Sequence, residues 1–168
     1  VVLATADGMA IRFSESDARP MGRNTSGVKG IRLGKGDDLV GMVVADPDST
    51  LLTACENGYG KRTNFGPSMA AADEEGEAAE VEGVADESAT EGEAEDEVSS
   101  GSRYRTQRRG GKGVRDIKTT KRNGKVIGIA RVTDEDELMM MTARGKIQRV
   151  AASEISVIGR NTQGVRIM

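Results

Sequence analysis

Arginine and lysine set among glycines are residue types that can hold phosphate. The cation supplies the charge, and glycine lets the backbone turn sharply and approach closely. One stretch does this densely: Gln107-Arg108-Arg109-Gly110-Gly111-Lys112-Gly113 has three cations and three glycines in seven residues. It has no apolar face, so it reads as a basic loop rather than the core of a helix or strand. Other chemistry lacks its materials. The chain has no His and one Cys, Cys55, which excludes an intrachain disulfide, a zinc site and His-based acid–base catalysis. Cys55 closes the apolar run Leu51–Cys55 and reads as a small core residue. Gly22–Gly27 and Gly30–Lys35 do not complete the Gly-x4-Gly-Lys-Ser/Thr phosphate loop, so nucleotide hydrolysis has no support. Asp46-Pro47-Asp48 and Asp134–Glu137 lack the Gly and distal Glu of a calcium loop and read as turns.

The elements that must position the basic loop follow from charge and from a repeat. The formal net charge of −3 describes no part of the chain well. Asp73–Glu97 holds thirteen acidic residues and no Lys or Arg, and the remainder has 24 basic against 14 acidic residues. A basic folded part is therefore interrupted by an acidic insert, about 66–103, whose composition predicts disorder. Its simplest reading is a solvated loop insertion. The sharper one is an intrachain DNA mimic competing for the adjacent basic loop. No apolar stretch approaches membrane-spanning length and no signal peptide is visible, so the expectation is cytoplasmic, with no membrane partner. Both ends fall inside strand-like text, and the chain is expected to be a fragment of a longer polypeptide.

Short apolar runs alternate with glycine turns. Val1–Ala6 and Met9–Phe13 flank Asp7-Gly8, a hairpin signal, and Val28–Leu33 and Leu39–Val44 read as two further strands. The pattern restarts at Leu51–Cys55 with Asn57-Gly58. It resumes after the insert with Val114–Lys118, the turn Asn123-Gly124 and Val126–Val132. It restarts again at Leu138–Thr142 with Arg144-Gly145, and runs to Val165–Ile167. Met139-Met140-Met141 reads as blade core. Gly8 to Gly27 spans 19 residues, as does Gly145 to Gly164, and Gly8 to Gly58 spans 50, a period typical of repeat architectures. Three slots align: Met21–Gly27, Gln107–Gly113 and Ile158–Gly164. Each ends in Gly followed by Val and holds an Arg third, namely Arg23, Arg109 and Arg160. Arg12, Arg62 and Arg149 recur four residues after the hairpin glycines. The units are 1–49, 50–136 and 137–168, each offering up to four short strands and almost no helical periodicity. The class predicted is all-β, a propeller-like repeat of four-stranded blades with about three visible, too few to close a ring.

Matched cations on successive blades would suit a polyanion bent around the protein. Phosphate neutralisation releases counterions and gives salt-sensitive, sequence-independent affinity. Bending a 20–30 bp duplex costs roughly 1–6 kcal/mol, offset only by added contacts. Nothing resembles base readout, since there is no recognition helix and few aromatics for stacking. The candidate DNA contacts are Gln107–Gly113 with Arg12, Arg23, Lys29, Arg32, Lys61, Arg62, Arg115, Arg149, Arg160 and Arg166.

These residues carry a resemblance. Gln107–Gly113 is similar to the gyrase A-box of the DNA gyrase A C-terminal domain family. The text around Met21–Leu33, Asn57–Thr63 and Ser153–Val165 agrees with it. The resemblance implies a β-pinwheel, a strand-exchanged relative of the propeller, that wraps double-stranded DNA on a basic rim. It also implies a cytoplasmic A2B2 holoenzyme, with gyrase B and a second gyrase A as partners, introducing negative supercoils. ATP and Mg would act elsewhere in that holoenzyme, with no cofactor in this segment. Tyr59 and Tyr104 lack acid–metal neighbours and are not read as cleavage nucleophiles. In the family the full box belongs to the first blade, whereas here it occupies the second unit. The alternatives are the C-terminal domain of the topoisomerase IV A protein, which is expected to lack the full box, and a propeller-type protein-interaction scaffold.

Overall fold

The computed structural model describes residues 1–66 and 103–168. The acidic stretch Asp73–Glu97, with both of its readings, lies outside the described residues. Among these residues ten strands are formed: β1 Val2–Thr5, β2 Met9–Arg12, β3 Leu39–Val43, β4 Thr50–Cys55, β5 Tyr59–Asn64, β6 Val114–Arg115, β7 Val126–Val132, β8 Glu137–Met141, β9 Ile147–Ala151 and β10 Val165–Arg166. Among the described residues the only helical pieces are two 3-10 turns, Glu15–Asp17 and Ala152–Glu154.

The three hairpins form where the glycine dipeptides place them. Gly8, Gly58 and Gly145 take φ of +83°, +76° and +79°, a left-handed backbone that a Cβ disfavours. Close approach adds a second requirement. A Cβ on Gly8 would lie 2.2 Å from the carbonyl oxygen of Ile117, and one on Gly58 would lie 2.6 Å from that of Met168.

Those contacts reveal the topology. One sheet has the order β3-β1-β2-β6 and the next β10-β5-β4-β7, while β8-β9 stands as a two-stranded hairpin. The fourth strand of each complete sheet follows the slot of the next sequence unit. Register repeats with the exchange: Ala10 opposes Val114 and Met9 opposes Arg115, while Gly60 opposes Val165 and Tyr59 opposes Arg166. All strand pairs are antiparallel.

The exchange corrects two sequence readings. Val28–Leu33 is not a strand; the described residues offer no earlier hairpin for it to join. Val114–Lys118 contributes only the two residues of β6, because pairing with β2 ends after Met9.

Core packing follows from which sheets are covered. All four residues of β1 are buried, and β4 buries Leu51, Leu52, Thr53 and Cys55 in consecutive or near-consecutive positions. Both faces of these strands are therefore covered, and a fully buried Leu contributes roughly 1.5–3 kcal/mol. One cluster joins Val2, Ala4, Ala10 and Leu51 to Phe65 and Tyr104, and another joins Leu52 and Val132 to Val150, Ile155 and Ile167. In β8 burial alternates instead. Met140 packs on the second cluster, whereas Met139 and Met141 are 73% and 68% exposed, so the methionine run is core at one position only.

Candidate nucleic-acid interface

Each of the last two slots is laced to the preceding unit by the same backbone bonds. In the box, the amide of Gln107 donates to the Arg12 carbonyl at 2.7 Å and that of Gly110 to Gly30 at 2.7 Å, while Gly111 accepts from the Arg32 amide at 2.8 Å. In the third slot, Ile158 donates to the Arg62 carbonyl at 2.8 Å and Asn161 to Asp116 at 2.7 Å, while Thr162 accepts from the Lys118 amide at 2.8 Å. Gly110 and Asn161 share a left-handed backbone, φ +80° and +60°. Asn is the side chain that tolerates it, which makes Arg-Gly-Gly-Lys-Gly and Arg-Asn-Thr-Gln-Gly versions of one loop. Asn24 of the first slot does not adopt it. The closing glycines Gly113 and Gly164, at φ +79° and +75°, approach the carbonyl oxygens of Ala10 and Gly60 so closely that a Cβ would lie 2.4 and 2.8 Å away. The slots are thus linked in series, each against the segment that follows the slot before it.

Side chains then divide into staples and exposed cations. Arg12 is buried, and its guanidinium donates to the carbonyls of Phe65 at 2.7 Å and Tyr104 at 3.1 Å. Arg62 is buried likewise, with Nε on the Ile155 carbonyl at 2.8 Å and the guanidinium on Asp134. Lys61 is 0% exposed; its Nζ reaches Asp116 Oδ1 at 3.0 Å, the carbonyls of Asp116 and Gly159 at 2.8 and 3.0 Å, and Thr63 Oγ1 at 3.0 Å. Burial pulls this ammonium below its ordinary pKa, and Asp116 pushes it back up. Arg12, Lys61 and Arg62, read from sequence as DNA contacts, are therefore corrected to internal staples. All three are buried and spend their donors on carbonyls, a hydroxyl and carboxylates of this chain.

Two of the third-position arginines also brace backbone. Arg109 donates from Nε to the Asp17 carbonyl at 2.9 Å and from Nη1 to that of Lys29 at 2.6 Å, and Arg160 donates to Arg103 at 2.7 Å. Arg149 is exposed and ion-paired to Glu137, which raises its pKa. Arg166 is exposed with Nε on the Met168 carbonyl at 3.2 Å. Arg108, Lys112, Arg115, Arg23, Lys29 and Arg32 are exposed. Neither Arg108 nor Lys112 makes a side-chain hydrogen bond or ion pair to another described residue. The lacing brings Lys29 and Arg32 beside the box, Arg115 follows it on β6, and Arg160 and Arg166 belong with the third slot. Arg149 stands apart on β9. The Gln107 amide oxygen is buried without a partner among the described residues.

Sequence reasoning missed the centre of the buried network. Asp116, 1% exposed, accepts from Thr53 Oγ1 at 2.7 Å and from the Tyr104 hydroxyl at 2.5 Å besides Lys61. The Tyr104 phenol is held well above its ordinary pKa by burial and by Asp116. A lone acid within Val114–Lys118 was the available signal. Cys55 is buried, and burial with nearby Asp116 and Glu56 pushes its thiol up to about 11. Among the described residues no cluster of acids and Cys could hold a metal, and no helix is long and apolar enough to cross a membrane.

Four-stranded antiparallel sheets completed by exchange, with glycine-rich cationic loops at each crossing, define a β-propeller-type repeat protein of the pinwheel kind. Comparison with known families makes the assignment specific. The chain belongs to the DNA gyrase C-terminal domain, beta-propeller family, whose model matches residues 1–46, 98–133 and 136–168. It is 42% identical over 165 residues to the DNA gyrase A protein of Escherichia coli, covering 98% of this chain and 15% of that protein. To the DNA gyrase A protein of Staphylococcus epidermidis it is 39% identical over 170 residues, covering 100% of this chain and 15% of that protein. The chain thus spans about a sixth of the length of these relatives. A solved DNA gyrase A C-terminal domain superposes with a TM-score of 0.70 at 25% identity, over 99% of this chain and 45% of that one. A topoisomerase IV C-terminal domain shares the fold, with a TM-score of 0.71 at 20% identity over 99% of this chain and 41% of that one.

Proposed function

We propose that this chain binds and bends duplex DNA along its series of slots, as the C-terminal domain of a gyrase A protein. The carrying observation is the pair Arg108 and Lys112, two exposed cations left unpaired on a loop whose backbone is fixed at Gln107, Gly110 and Gly111. Cations on a pre-ordered loop bind phosphate without the entropy cost of ordering it. Lys29, Arg32 and Arg115 beside the box extend the charge, and Arg166 extends it at the next slot. Phosphate contacts of this kind position a duplex without reading its sequence.

In this reading the parent is an A2B2 holoenzyme that pairs two gyrase A proteins with two of gyrase B. It would act in the cytoplasm and use ATP and Mg outside this chain. The bent segment would give strand passage a fixed sign, favouring negative supercoils. The topoisomerase IV C-terminal domain shares the fold but is expected to lack the full box, and the intact Gln107–Gly113 supports gyrase. The test is duplex binding across a salt series by the full-length protein and by Arg108→Ala/Lys112→Ala. Two lost phosphate contacts should make the slope of log K against log salt shallower by about 2. An unchanged slope and affinity would favour a protein-interaction scaffold.

A further inference from the structure

The turn joining β6 to β7, residues 116–125, carries cations that the slot pattern does not include. We propose that Lys118, Lys121 and Arg122 form a second phosphate-binding element, placed to continue the third slot along the same duplex. This inference rests on DNA as the partner of the slots.

The turn is ordered from inside and from two neighbours. Asn123 is fully buried; its amide nitrogen donates to the carbonyls of Lys118 at 3.0 Å and Gln163 at 3.1 Å. Its amide oxygen accepts from the Thr120 amide at 2.7 Å and the Thr120 hydroxyl at 2.9 Å. From the neighbouring hairpin, Asn57 Nδ2 donates to the carbonyls of Lys121 and Arg122, both at 3.2 Å. The bonds to Gln163 and, through the Lys118 amide, to Thr162 hold the turn directly against the third slot.

Backbone ties of this number around an exposed polar turn fix where its side chains begin. Lys118, Lys121 and Arg122 are all exposed, and the ammonium groups of the two lysines have no acidic or hydrogen-bonding partner among the described residues. The Arg122 guanidinium lies 5.0 Å from the centroid of the Tyr59 ring, with Nε donating to the Tyr59 hydroxyl at 3.0 Å. Stacking by an aromatic face orients a guanidinium while leaving terminal nitrogens for a phosphate. Tyr59 opposes Arg166 in register, which brings a fourth cation to the group.

Nearby acids are engaged at the other end of the turn. Glu56 accepts from the Lys125 amide at 2.9 Å, and Asp7 pairs with the Lys125 ammonium at 3.3 Å. The corresponding turn of the first unit, Leu33–Asp38, holds a single cation, Lys35, with Asp38 where the second unit has Lys125, and Arg32 makes to the box the amide bond that Lys118 makes to the third slot. The second unit's turn, with Lys121 and Arg122 together, is therefore the more basic of the two.

The experiment compares Lys118→Ala/Lys121→Ala/Arg122→Ala with Arg108→Ala/Lys112→Ala in the full-length protein, binding duplex DNA across a salt series. The turn variant should lose about 2–3 from the salt slope, and its loss should add to that of the box variant. Independently of any substitution, bound DNA should protect Lys118 and Lys121 of the wild-type protein from amine acetylation several-fold, read by mass spectrometry. A wild-type slope in the turn variant, or unprotected lysines on bound DNA, overturns the second element. If the box variant is weakened in the same experiment, the slot reading survives that failure. Wild-type behaviour in both variants overturns the two together.

Discussion

Replacing Lys61 by Met would leave the Asp116 carboxylate, 1% exposed, with only the Thr53 and Tyr104 hydroxyls as side-chain donors. It would also remove the shorter of the two side-chain hydrogen bonds to the Gly159 carbonyl of the third slot, leaving that from the Thr162 hydroxyl at 3.4 Å. Removing one member of a buried ion pair costs about 3–5 kcal/mol, because the other charge stays desolvated. Asp116→Asn makes the complementary lesion in an isosteric side chain, leaving the Lys61 ammonium with neutral acceptors alone. The double variant Lys61→Met/Asp116→Asn buries no charge, so it should cost little more than either single change. The predicted coupling is about 2 kcal/mol or more, within the range for contacting residues. Urea denaturation followed by far-UV circular dichroism measures all four corners of the cycle, and comparable m-values confirm that compactness is unchanged. Additive single costs, or a cost below about 1 kcal/mol for Lys61→Met, would refute the claim that this pair pins the exchanged segment to its neighbours.

Three shorter predictions follow from the same contacts. Gly113→Ala should destabilise more than Gly27→Ala: both have positive φ, but a Cβ at Gly113 meets the Ala10 carbonyl at 2.4 Å and one at Gly27 meets nothing within 4 Å. The left-handed backbone alone costs roughly 1–2 kcal/mol, and overpacking adds about 1–3 kcal/mol at Gly113. Chemical denaturation of the two variants checks the order. Cys55 holds its proton up to about 11, against 9.0 for an unperturbed thiol. Between those values the folded chain binds more protons than the unfolded one, so this thiol makes stability fall as pH rises. The decline should be weaker in Cys55→Ala, and wild-type Cys55 should resist thiol reagents at pH 8 until the chain is unfolded. Replacing 67–102 by a short glycine linker should leave the midpoint of thermal unfolding in place. The flanks are already joined, with Asn64 bridged to Arg103 and the Tyr104 amide bonded to the Phe65 carbonyl.

The hairpins and slots were legible because their geometry demands glycine, and glycine is visible in sequence. Asp7-Gly8, Asn57-Gly58 and Arg144-Gly145 announce their turns, and Gly27, Gly113 and Gly164 share a positive φ that their spacing anticipates. Strand exchange was not legible from periodicity, since Val114–Lys118 reads the same whichever sheet it joins; the family resemblance supplied it. Arg12 and Arg62 misled for a related reason. A staple that satisfies buried backbone carbonyls recurs with the same period as a surface cation, and carbonyls have no letter in the sequence. Asp116 was hidden because its partners Thr53, Lys61 and Tyr104 lie far from it in the chain or across the acidic insert's flank. The cations Lys118, Lys121 and Arg122 went unread because they lie outside the three aligned slots, beside a turn marked only by Asn123-Gly124.

Binding alone does not separate a wrapped duplex from a straight one. The direct measurement relaxes a closed circular plasmid with a type I topoisomerase in the presence of the full-length protein, with ATP absent, and reads the linking number after the protein is removed. Wrapping predicts a shift of one sign that grows with bound protein and diminishes in Arg108→Ala/Lys112→Ala. A linking number that stays at the relaxed value while the DNA is saturated would rule out wrapping.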